Sequence, residues 1–257
     1  MGKVIAIANQ KGGVGKTTTA VNLSASIGVL EKKTLLIDMD PQGNSTSGFG
    51  INPYQVESSI YDCLINARPL KDVLLQTEIS YLKVAPSNID LTGAEIELVP
   101  QMAREYKLKE AISPLKDEYQ YIFVDCPPSL GLLTLNTLAA ADSILIPIQC
   151  EYYALEGVTK LLNTIDLVKK NLNPNLEIEG VVLTMYDSRT TLSQQVKEEI
   201  MKHFKEKVYN TFIPRNVRLS EAPSYGKPVI LYDVRSTGAE AYINLAKEVV
   251  NHAEGIR

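Results

Sequence analysis

The sequence lacks the features that would place the protein in a membrane or outside the cell. No uninterrupted apolar run approaches the ~20 residues that a helix needs to cross a bilayer. The chain starts with one lysine followed by a short strand-like run, which is not typical of a secretory signal. We therefore expect a cytoplasmic protein that has no membrane as a partner.

Cysteine is also scarce, and the three cysteines, Cys63, Cys126 and Cys150, are far apart in the sequence. Their positions match neither a disulfide framework nor the spacing of a cysteine metal site. Buried free thiols in a reducing compartment are the simplest interpretation of this pattern.

Repeats, low-complexity tracts and Pro/Ser-rich linkers are absent, so we expect residues 1–257 to form a single domain. Apolar runs alternate with segments of helical spacing, and several runs are apolar at consecutive positions, as in strands buried on both faces. This predicts an α/β fold with a mostly parallel, twisted sheet of about eight strands and helices on both faces. The predicted strands are Val4–Ala8, Thr34–Asp38, Tyr81–Ala85, Tyr121–Asp125, Ser143–Ile148, Gly180–Met185, Tyr209–Ile213 and Val229–Tyr232, and the clearest helices are Leu155–Asn171, Leu192–Phe204 and Gly238–Ala253.

The most informative segment is a glycine-rich turn between the first predicted strand and a helical segment. A strand, a glycine turn and a helix start in that order are typical of a phosphate-binding loop. Glycines allow backbone N–H groups to approach phosphate oxygens, Lys16 supplies a charge for the β- and γ-phosphates, and the Thr17 hydroxyl can bind Mg²⁺. The predicted nucleotide-binding residues are Lys11, Gly12, Gly13, Val14, Gly15, Lys16, Thr17 and Thr18.

This loop departs from the ordinary pattern G-x-x-x-x-G-K-[ST], because Gln10 occupies the position of the first glycine and a second lysine, Lys11, follows it. A chance glycine-lysine turn is the alternative, but the flanking strand and helix make it a poor one.

Carboxylates end two of the predicted strands, where ligands of open α/β sheets bind. Asp125 has the form of a Walker B aspartate, which reaches Mg²⁺ directly or through water, and Asp38 is predicted to organise the same metal site. Asp40 is predicted to position or deprotonate the attacking water, unless Asp38 and Asp40 only form a polar turn with Pro41. The loop Pro127–Gly131 is expected to sense the γ-phosphate.

The net charge of −4 is unevenly distributed along the chain. Residues 189–235 contain nine Lys and Arg against five Asp and Glu, so this part is basic while the remainder is acidic. A basic face is compatible with DNA binding, but an ordinary solvated surface explains the same charge pattern.

Five sequence blocks, in this order, resemble the ParA/Soj chromosome- and plasmid-partitioning ATPases, and the chain resembles a Soj-type chromosomal member. The blocks are Lys11–Thr18, Asp38–Gln42, Asp125–Gly131, Gln149–Gly157 and Ile213–Pro223. The resemblance implies a deviant Walker P-loop fold, ATP and Mg²⁺ as cofactors, and homodimers that form around ATP. It further implies non-specific binding of double-stranded DNA on the nucleoid and slow ATP hydrolysis stimulated by a ParB-type partner; a replication initiator is a further partner of some relatives.

The resemblance also assigns roles to individual residues. Lys11 matches the lysine that crosses the dimer interface to the partner's γ-phosphate, and it joins Lys16 and Asp40 as a predicted catalytic residue. Pro214 and Asn216 match the positions that cradle adenine, with a plain turn as the alternative. Arg189 and Arg218 match DNA-contacting arginines.

Other P-loop proteins give rival interpretations. A MinD-like membrane cycler would need a basic, apolar C-terminal helix, whereas residues 250–257 are short and polar. A nitrogenase-type reductase would need cysteines placed to hold a cluster between subunits. A bacterial tyrosine kinase would carry a tyrosine-rich tail, and a metabolic ATP-dependent ligase is disfavoured by the four blocks other than the P-loop.

Overall fold

The computed structural model describes residues 2–152 and 154–255, and the side chains of all of these except residues 154–157. Within these ranges seven strands form one sheet, in the order β3-β4-β2-β5-β1-β6-β7. All neighbouring strands are parallel except the short edge pair of β3 and β4. The strands are β1 Lys3–Ile7, β2 Thr34–Asp38, β3 Leu75–Gln76, β4 Leu82–Ala85, β5 Tyr121–Asp125, β6 Ser143–Gln149 and β7 Glu177–Thr184.

Helices cover both faces of the sheet. The α-helices of the described chain are α1 Lys16–Val29, α2 Asn44–Ser47, α3 Ile60–Ile65, α4 Leu91–Glu97, α5 Lys107–Ile112, α6 Leu132–Ala140, α7 Ala154–Asn171, α8 Thr191–Phe204, α9 Val217–Glu221, α10 Val229–Tyr232 and α11 Thr237–Glu254. Short 3₁₀ turns connect some of them, at Leu70–Asp72, Arg104–Tyr106, Ser113–Leu115, Lys205–Lys207 and Ala222–Tyr225. None of the described helices is long and apolar enough to cross a membrane.

Each central strand contributes to two hydrophobic cores, because successive side chains of a strand point to opposite faces. In β1, Val4 and Ala6 belong to the core beneath α3 to α8, whereas Ile5 and Ile7 belong to the core beneath α1, α10 and α11. The consecutive apolar residues that predicted doubly buried strands therefore have the predicted environment.

The parallel arrangement brings the carboxyl ends of β1, β2, β5 and β6 to the same edge of the sheet. The loop after β1 and the acidic ends of β2 and β5 consequently lie side by side. The C-terminal helix α11 packs against α1, and the Tyr242 hydroxyl lies 3.2 Å from the Thr19 hydroxyl. The first and last long helices thus support the loop from the same face.

Two predicted strands are wrong. Val229–Tyr232 forms α10, where the Val229 N–H donates to Oδ1 of Asn22 at 2.6 Å and the run packs against α1. A short apolar run can form either a buried strand or a buried helical turn. Here the run forms a helical turn, and Pro228 is its N-cap residue.

The segment Tyr209–Ile213 follows β7 without forming a regular ladder. The Tyr209 N–H donates to the Val181 carbonyl and the Ile213 N–H to the Leu183 carbonyl. Between these two hydrogen bonds the segment advances by four residues, whereas β7 advances by only two. The two segments therefore share isolated bridges, and no eighth strand forms in the described chain. The edge strand β3, in contrast, was missed by the sequence interpretation.

A close contact at Gly180 tests how tightly this edge is packed. A Cβ at Gly180 would lie 2.5 Å from Cε2 of Tyr209, whose side chain is buried. We expect Gly180→Ala to lower the free energy of unfolding by about 1–3 kcal/mol, measured by urea denaturation, because the ring must shift. Gly12→Ala is the control, since its Cβ would meet nothing within 4 Å. An unchanged urea midpoint for Gly180→Ala would contradict the packing described here.

Candidate nucleotide-binding site

The loop between β1 and α1 is held in the shape of a phosphate cradle. Gly13 and Gly15 have φ values of 75° and 85°, in the left-handed region that favours glycine. Gly15 occupies the N-cap position of α1 and provides no side chain to cap it. The first N–H groups of α1 and the positive end of its dipole therefore remain available to an anion.

The outer part of the loop, at Gly12 and Gly13, is open, whereas its inner part, at Val14, is fixed to the sheet. A Cβ at Gly12 or Gly13 would meet nothing within 4 Å, so phosphate oxygens can approach this part of the backbone. Val14 is buried, and its carbonyl accepts a hydrogen bond of 2.8 Å from the Thr184 hydroxyl at the end of β7. The loop is therefore anchored to the sheet while its outer surface stays accessible.

The two lysines of the loop have different environments. Lys16 is buried, its Nζ donates to the Lys11 carbonyl at 3.0 Å, and burial lowers its pKa against the opposing effect of Asp125. Lys11 lies at the surface, where its ammonium group forms an ion pair with Glu151. Lys16 thus points into the site, whereas Lys11 lies at its outer edge.

Asp38 and Asp125 end neighbouring strands and stand opposite each other in the register of β2 and β5. Asp38 accepts hydrogen bonds from the N–H and hydroxyl of Thr46 and from the Asp40 N–H. Burial raises the pKa of Asp38 although these hydrogen bonds oppose the shift. Both of its oxygens are therefore already engaged within the chain.

Asp125 is less completely satisfied. Its Oδ2 accepts a 2.7 Å hydrogen bond from the Ser45 hydroxyl, whereas Oδ1 is buried without a hydrogen-bond partner. Burial, followed by repulsion from Asp38, raises the pKa of Asp125, and the nearby Thr17 hydroxyl opposes the shift. An unpartnered carboxylate oxygen next to a threonine hydroxyl at the loop is a suitable donor set for Mg²⁺, which prefers oxygen ligands.

Side chains alone do not complete a metal site here. Among the described residues, no group of three or more His, Cys, Asp or Glu side chains is arranged to hold a metal ion. This agrees with the usual mode of Mg²⁺ binding in such sites, in which one or two protein oxygens are joined by waters and phosphate oxygens.

Asp40 lies just beyond β2 and is 8% exposed. Its Oδ1 accepts a hydrogen bond of 3.0 Å from the Gln42 N–H, which fixes the side chain at the start of the following turn. Asp40 is also close enough to Lys16 to contribute to its electrostatic environment. The structure therefore brings all three predicted carboxylates to the side of the loop that holds Lys16.

A cavity of about 380 Å³ lies beside the loop, and both predicted adenine-binding residues line it. Gly15 and Thr18 contribute one wall, and Pro214 and Asn216 another. The Asn216 amide, however, caps α9 by accepting from the Arg218 and Leu219 N–H groups, and it donates to the Thr237 hydroxyl at 2.7 Å. Both the oxygen and the nitrogen of this amide therefore already have partners within the chain, and Asn216 shapes the cavity by fixing α9.

The two predicted DNA-contacting arginines are exposed and ion-paired. Arg189, with 86% of its side chain exposed, forms a two-pronged contact with Asp187. Arg218 contacts Glu221 at 2.8 Å and Asp233 at 3.2 Å. DNA phosphates would have to compete with these carboxylates, a constraint that the sequence interpretation did not include.

Comparisons with known proteins place the chain in a family. It matches the model of an AAA domain family over residues 2–178. It is 61% identical to the sporulation initiation inhibitor protein Soj of Bacillus subtilis, over 97% of this chain and 98% of that protein. It is also 58% identical to the chromosome partitioning protein ParA of Myxococcus xanthus, over 97% of this chain and 88% of that protein.

The chain belongs to the ParA/Soj family of chromosome-partitioning ATPases. The resemblance read from the five sequence blocks is thereby confirmed. One block, Gln149–Gly157, includes Tyr153, which lies outside the described residues, so only part of it can be placed.

Solved structures confirm the P-loop NTPase-like fold of this ParA/Soj family member. A cobyrinic acid a,c-diamide synthase from Mycobacterium smegmatis, with bound ADP and magnesium, is 37% identical with a TM-score of 0.88, and covers 100% of this chain and 97% of its own. The cell division ATPase MinD of Pyrococcus furiosus is 27% identical with a TM-score of 0.80, over 98% of this chain and 100% of that one.

Several residues of the site were not predicted. The hydroxyls of Ser45 and Thr46 hold the two buried aspartates, and Glu151 holds Lys11. Asn9 also supports the loop, because it accepts from the Lys11 N–H and donates to the Pro147 carbonyl. Glu151 belongs to one of the family blocks, which was a usable signal, whereas the others become recognisable only in three dimensions.

Asp125→Asn should have opposite effects on stability and on metal-dependent nucleotide binding. In the folded, ligand-free protein the raised pKa of Asp125 means that its proton is retained above about pH 4, where an unfolded aspartate has lost it. The contribution of Asp125 to wild-type stability should therefore fall as the pH rises, and the gain in melting temperature from the uncharged amide should grow from about pH 5 to about pH 7.

The same variant should lose the increase in nucleotide affinity that Mg²⁺ provides, measured by titration calorimetry with and without the metal. Ser45→Ala is the matched control, since it changes the hydrogen bond to Asp125 but keeps the carboxylate. A variant that binds nucleotide with the normal dependence on Mg²⁺ would remove Asp125 from the metal site.

Proposed function

We propose that the protein, as a single ATPase domain over residues 1–257, is an ATP-dependent switch in chromosome partitioning. The observation that carries this proposal is the phosphate loop with its two lysines, one buried near Asp40 and Asp125 and one at the outer edge. A P-loop enzyme that acts alone needs only the inner lysine. A second cation at the edge fits a site that another copy of the chain completes.

ATP with Mg²⁺ fits the donors on both sides of the site. The N–H groups of the loop and Lys16 would bind the phosphates, while Thr17 and Asp125 would hold the metal, supported by Asp38. When bound, Mg²⁺ neutralises charge on the β- and γ-phosphates. The phosphates would also draw Lys16 away from the Lys11 carbonyl, because charged acceptors form the stronger hydrogen bonds. Asp40, whose carboxylate accepts a hydrogen bond from the Gln42 N–H, would orient the attacking water.

The position of Lys11 supports the proposed dimer. Its side chain leaves the cradle instead of entering it, so it can reach the γ-phosphate of a second copy facing the same edge. The added charge would stabilise the pair of bound nucleotides and the charge that develops during phosphoryl transfer. Hydrolysis removes the phosphate that Lys11 holds, and the dimer then separates.

In the ATP-bound state the dimer would bind double-stranded DNA without sequence preference, through Arg189, Arg218 and the basic stretch around them. The net positive charge of residues 189–235 and the exposure of both arginines support this assignment. Contacts of this kind are made to phosphates and weaken with salt. The proposed place of action is the nucleoid, with a ParB-type protein that stimulates hydrolysis, and with a replication initiator as a further partner.

An ATP-dependent dimer is the first test. Asp40→Ala should bind ATP, form a dimer and hydrolyse ATP at least about a hundredfold more slowly, because the attacking water loses its orienting group. Size-exclusion chromatography with light scattering, with and without ATP, measures the dimer. Adding Lys11→Ala to Asp40→Ala should return it to a monomer, whereas Lys16→Ala serves as the control that fails to bind nucleotide. Normal pairing of the Lys11→Ala protein would refute the role of the second lysine.

A DNA titration at several salt concentrations tests the proposed basic face. With Arg189 and Arg218 both changed to Glu in the Asp40→Ala background, DNA affinity should fall about tenfold or more, and the salt dependence should weaken by about two charges. The dimer should persist, which separates a loss of DNA contacts from a loss of assembly. Arg68→Glu, which follows α3 and lies outside residues 189–235, controls for the reversal of a single surface charge. Unchanged DNA affinity in the double variant would reject this face.

An amide-forming synthase is the second candidate, because a 37% identical structure of the same fold has that name. For such an enzyme we expect ATP turnover to depend on a carboxylic acid substrate. ATP turnover by this protein with DNA and a ParB-type partner, and with no carboxylic acid substrate, would exclude the synthase.

A further inference from the structure

The ion pair between Lys11 and Glu151 joins two parts of the same chain. Lys11 is in the loop after β1, and Glu151 follows the end of β6. The two side chains are 34% and 31% exposed, so water only partly screens the attraction between them. The outer lysine therefore has a carboxylate of its own chain as its counter-charge.

Hydrogen bonds also hold the backbone of Lys11 in place. Its N–H donates to Asn9 at 3.0 Å, and the Asn9 amide donates to the Pro147 carbonyl of β6 at 2.7 Å. The Lys11 carbonyl accepts from Lys16, so Lys11 is restrained at its N–H, at its carbonyl and at its ammonium group. The first two restraints fix where the loop lies, and the pair with Glu151 fixes where the long side chain points.

We propose that Glu151 is a positioning residue that retains Lys11 within its own chain until the γ-phosphate of a second copy takes it over. The inference rests on the proposed function, in which Lys11 acts across a dimer. An ammonium group that is paired with Glu151 is less available to the γ-phosphate of a second copy, so Glu151 competes with that phosphate for Lys11. The carboxylate thereby raises the ATP concentration that pairing requires.

The retention is weak enough to be reversible. Partly exposed ion pairs contribute about 0.2–1 kcal/mol, which corresponds to a factor of up to about five in an equilibrium constant. A γ-phosphate carries more charge than a carboxylate and lies in a more enclosed site once two copies meet, so it is the stronger acceptor. Glu151 thus opposes pairing without preventing it, and a monomer without triphosphate keeps its outer lysine covered.

The experiment uses Glu151→Gln in the full chain and measures two quantities. In the nucleotide-free protein, the rate at which acetic anhydride acetylates Lys11, followed by peptide mass spectrometry, should rise because the ammonium group has lost its counter-charge. In the Asp40→Ala background, which prevents hydrolysis, the ATP concentration that gives half-maximal dimer should fall by up to about fivefold.

Glu254→Gln is the matched control. It removes the carboxylate of another surface pair, Lys32–Glu254, whose side chains are 27% and 44% exposed, at the far end of α11. This variant should speed the acetylation of Lys32, leave that of Lys11 unchanged, and have no effect on the ATP needed for pairing.

The two results expected for Glu151→Gln support the inference only together. Unchanged acetylation of Lys11, an unchanged ATP requirement or a higher ATP requirement would overturn it. Failure of the proposed function is recognised separately, because a Lys11→Ala protein would then still form the ATP-dependent dimer. If Lys11→Ala abolishes the dimer and Glu151→Gln changes nothing, only the retention by Glu151 is wrong.

Discussion

The site depends on two buried carboxylates that the sheet register places side by side. Asp38 and Asp125 stand opposite each other on β2 and β5, where burial and, for Asp125, repulsion by its neighbour oppose ionisation. The hydroxyls of Thr46 and Ser45 relieve part of this unfavourable situation, but one oxygen of Asp125 has no partner. The side chains of the protein therefore stabilise these two carboxylates only in part, and a cation bound with phosphates would stabilise them further.

The phosphate loop connects this acidic edge to the second half of the chain. Asn9 ties its start to β6, and the Val14 carbonyl ties its end to Thr184 of β7. The cavity beside the loop is completed by Pro214 and by α9, which Asn216 caps. A nucleotide that spans loop and cavity would therefore contact segments about 200 residues apart in sequence, which gives the C-terminal segment a direct means of responding to it.

The strands were predictable wherever a run was apolar at consecutive positions and ended in a polar or glycine-rich turn, as in β1, β2 and β5. The same rule gave the wrong result for Val229–Tyr232, because a short apolar run satisfies the packing needs of a helical turn against α1 equally well. The segment Tyr209–Ile213 has the apolar composition of a strand, but it does not form a regular ladder with β7. Between its two hydrogen bonds to β7 the segment advances by four residues, whereas β7 advances by only two. Strand pairing depends on both segments, so it cannot be predicted from the sequence of one segment alone.

Residues whose chemistry is fixed by the local chain were found from the sequence. Glycines next to Lys16 and Thr17, between a strand and a helix, are typical of a phosphate-binding loop, because the N–H groups and the helix dipole come from the backbone itself. The sequence by itself thus determined the family, the fold class and the cradle. Only the tertiary structure decided that Asn216 caps a helix, that Arg189 and Arg218 are paired with carboxylates, and that Glu151 holds Lys11. The physical reason is that the fold decides which complementary group lies next to a given side chain. The spacing of two residues along the sequence does not give the distance between them in space.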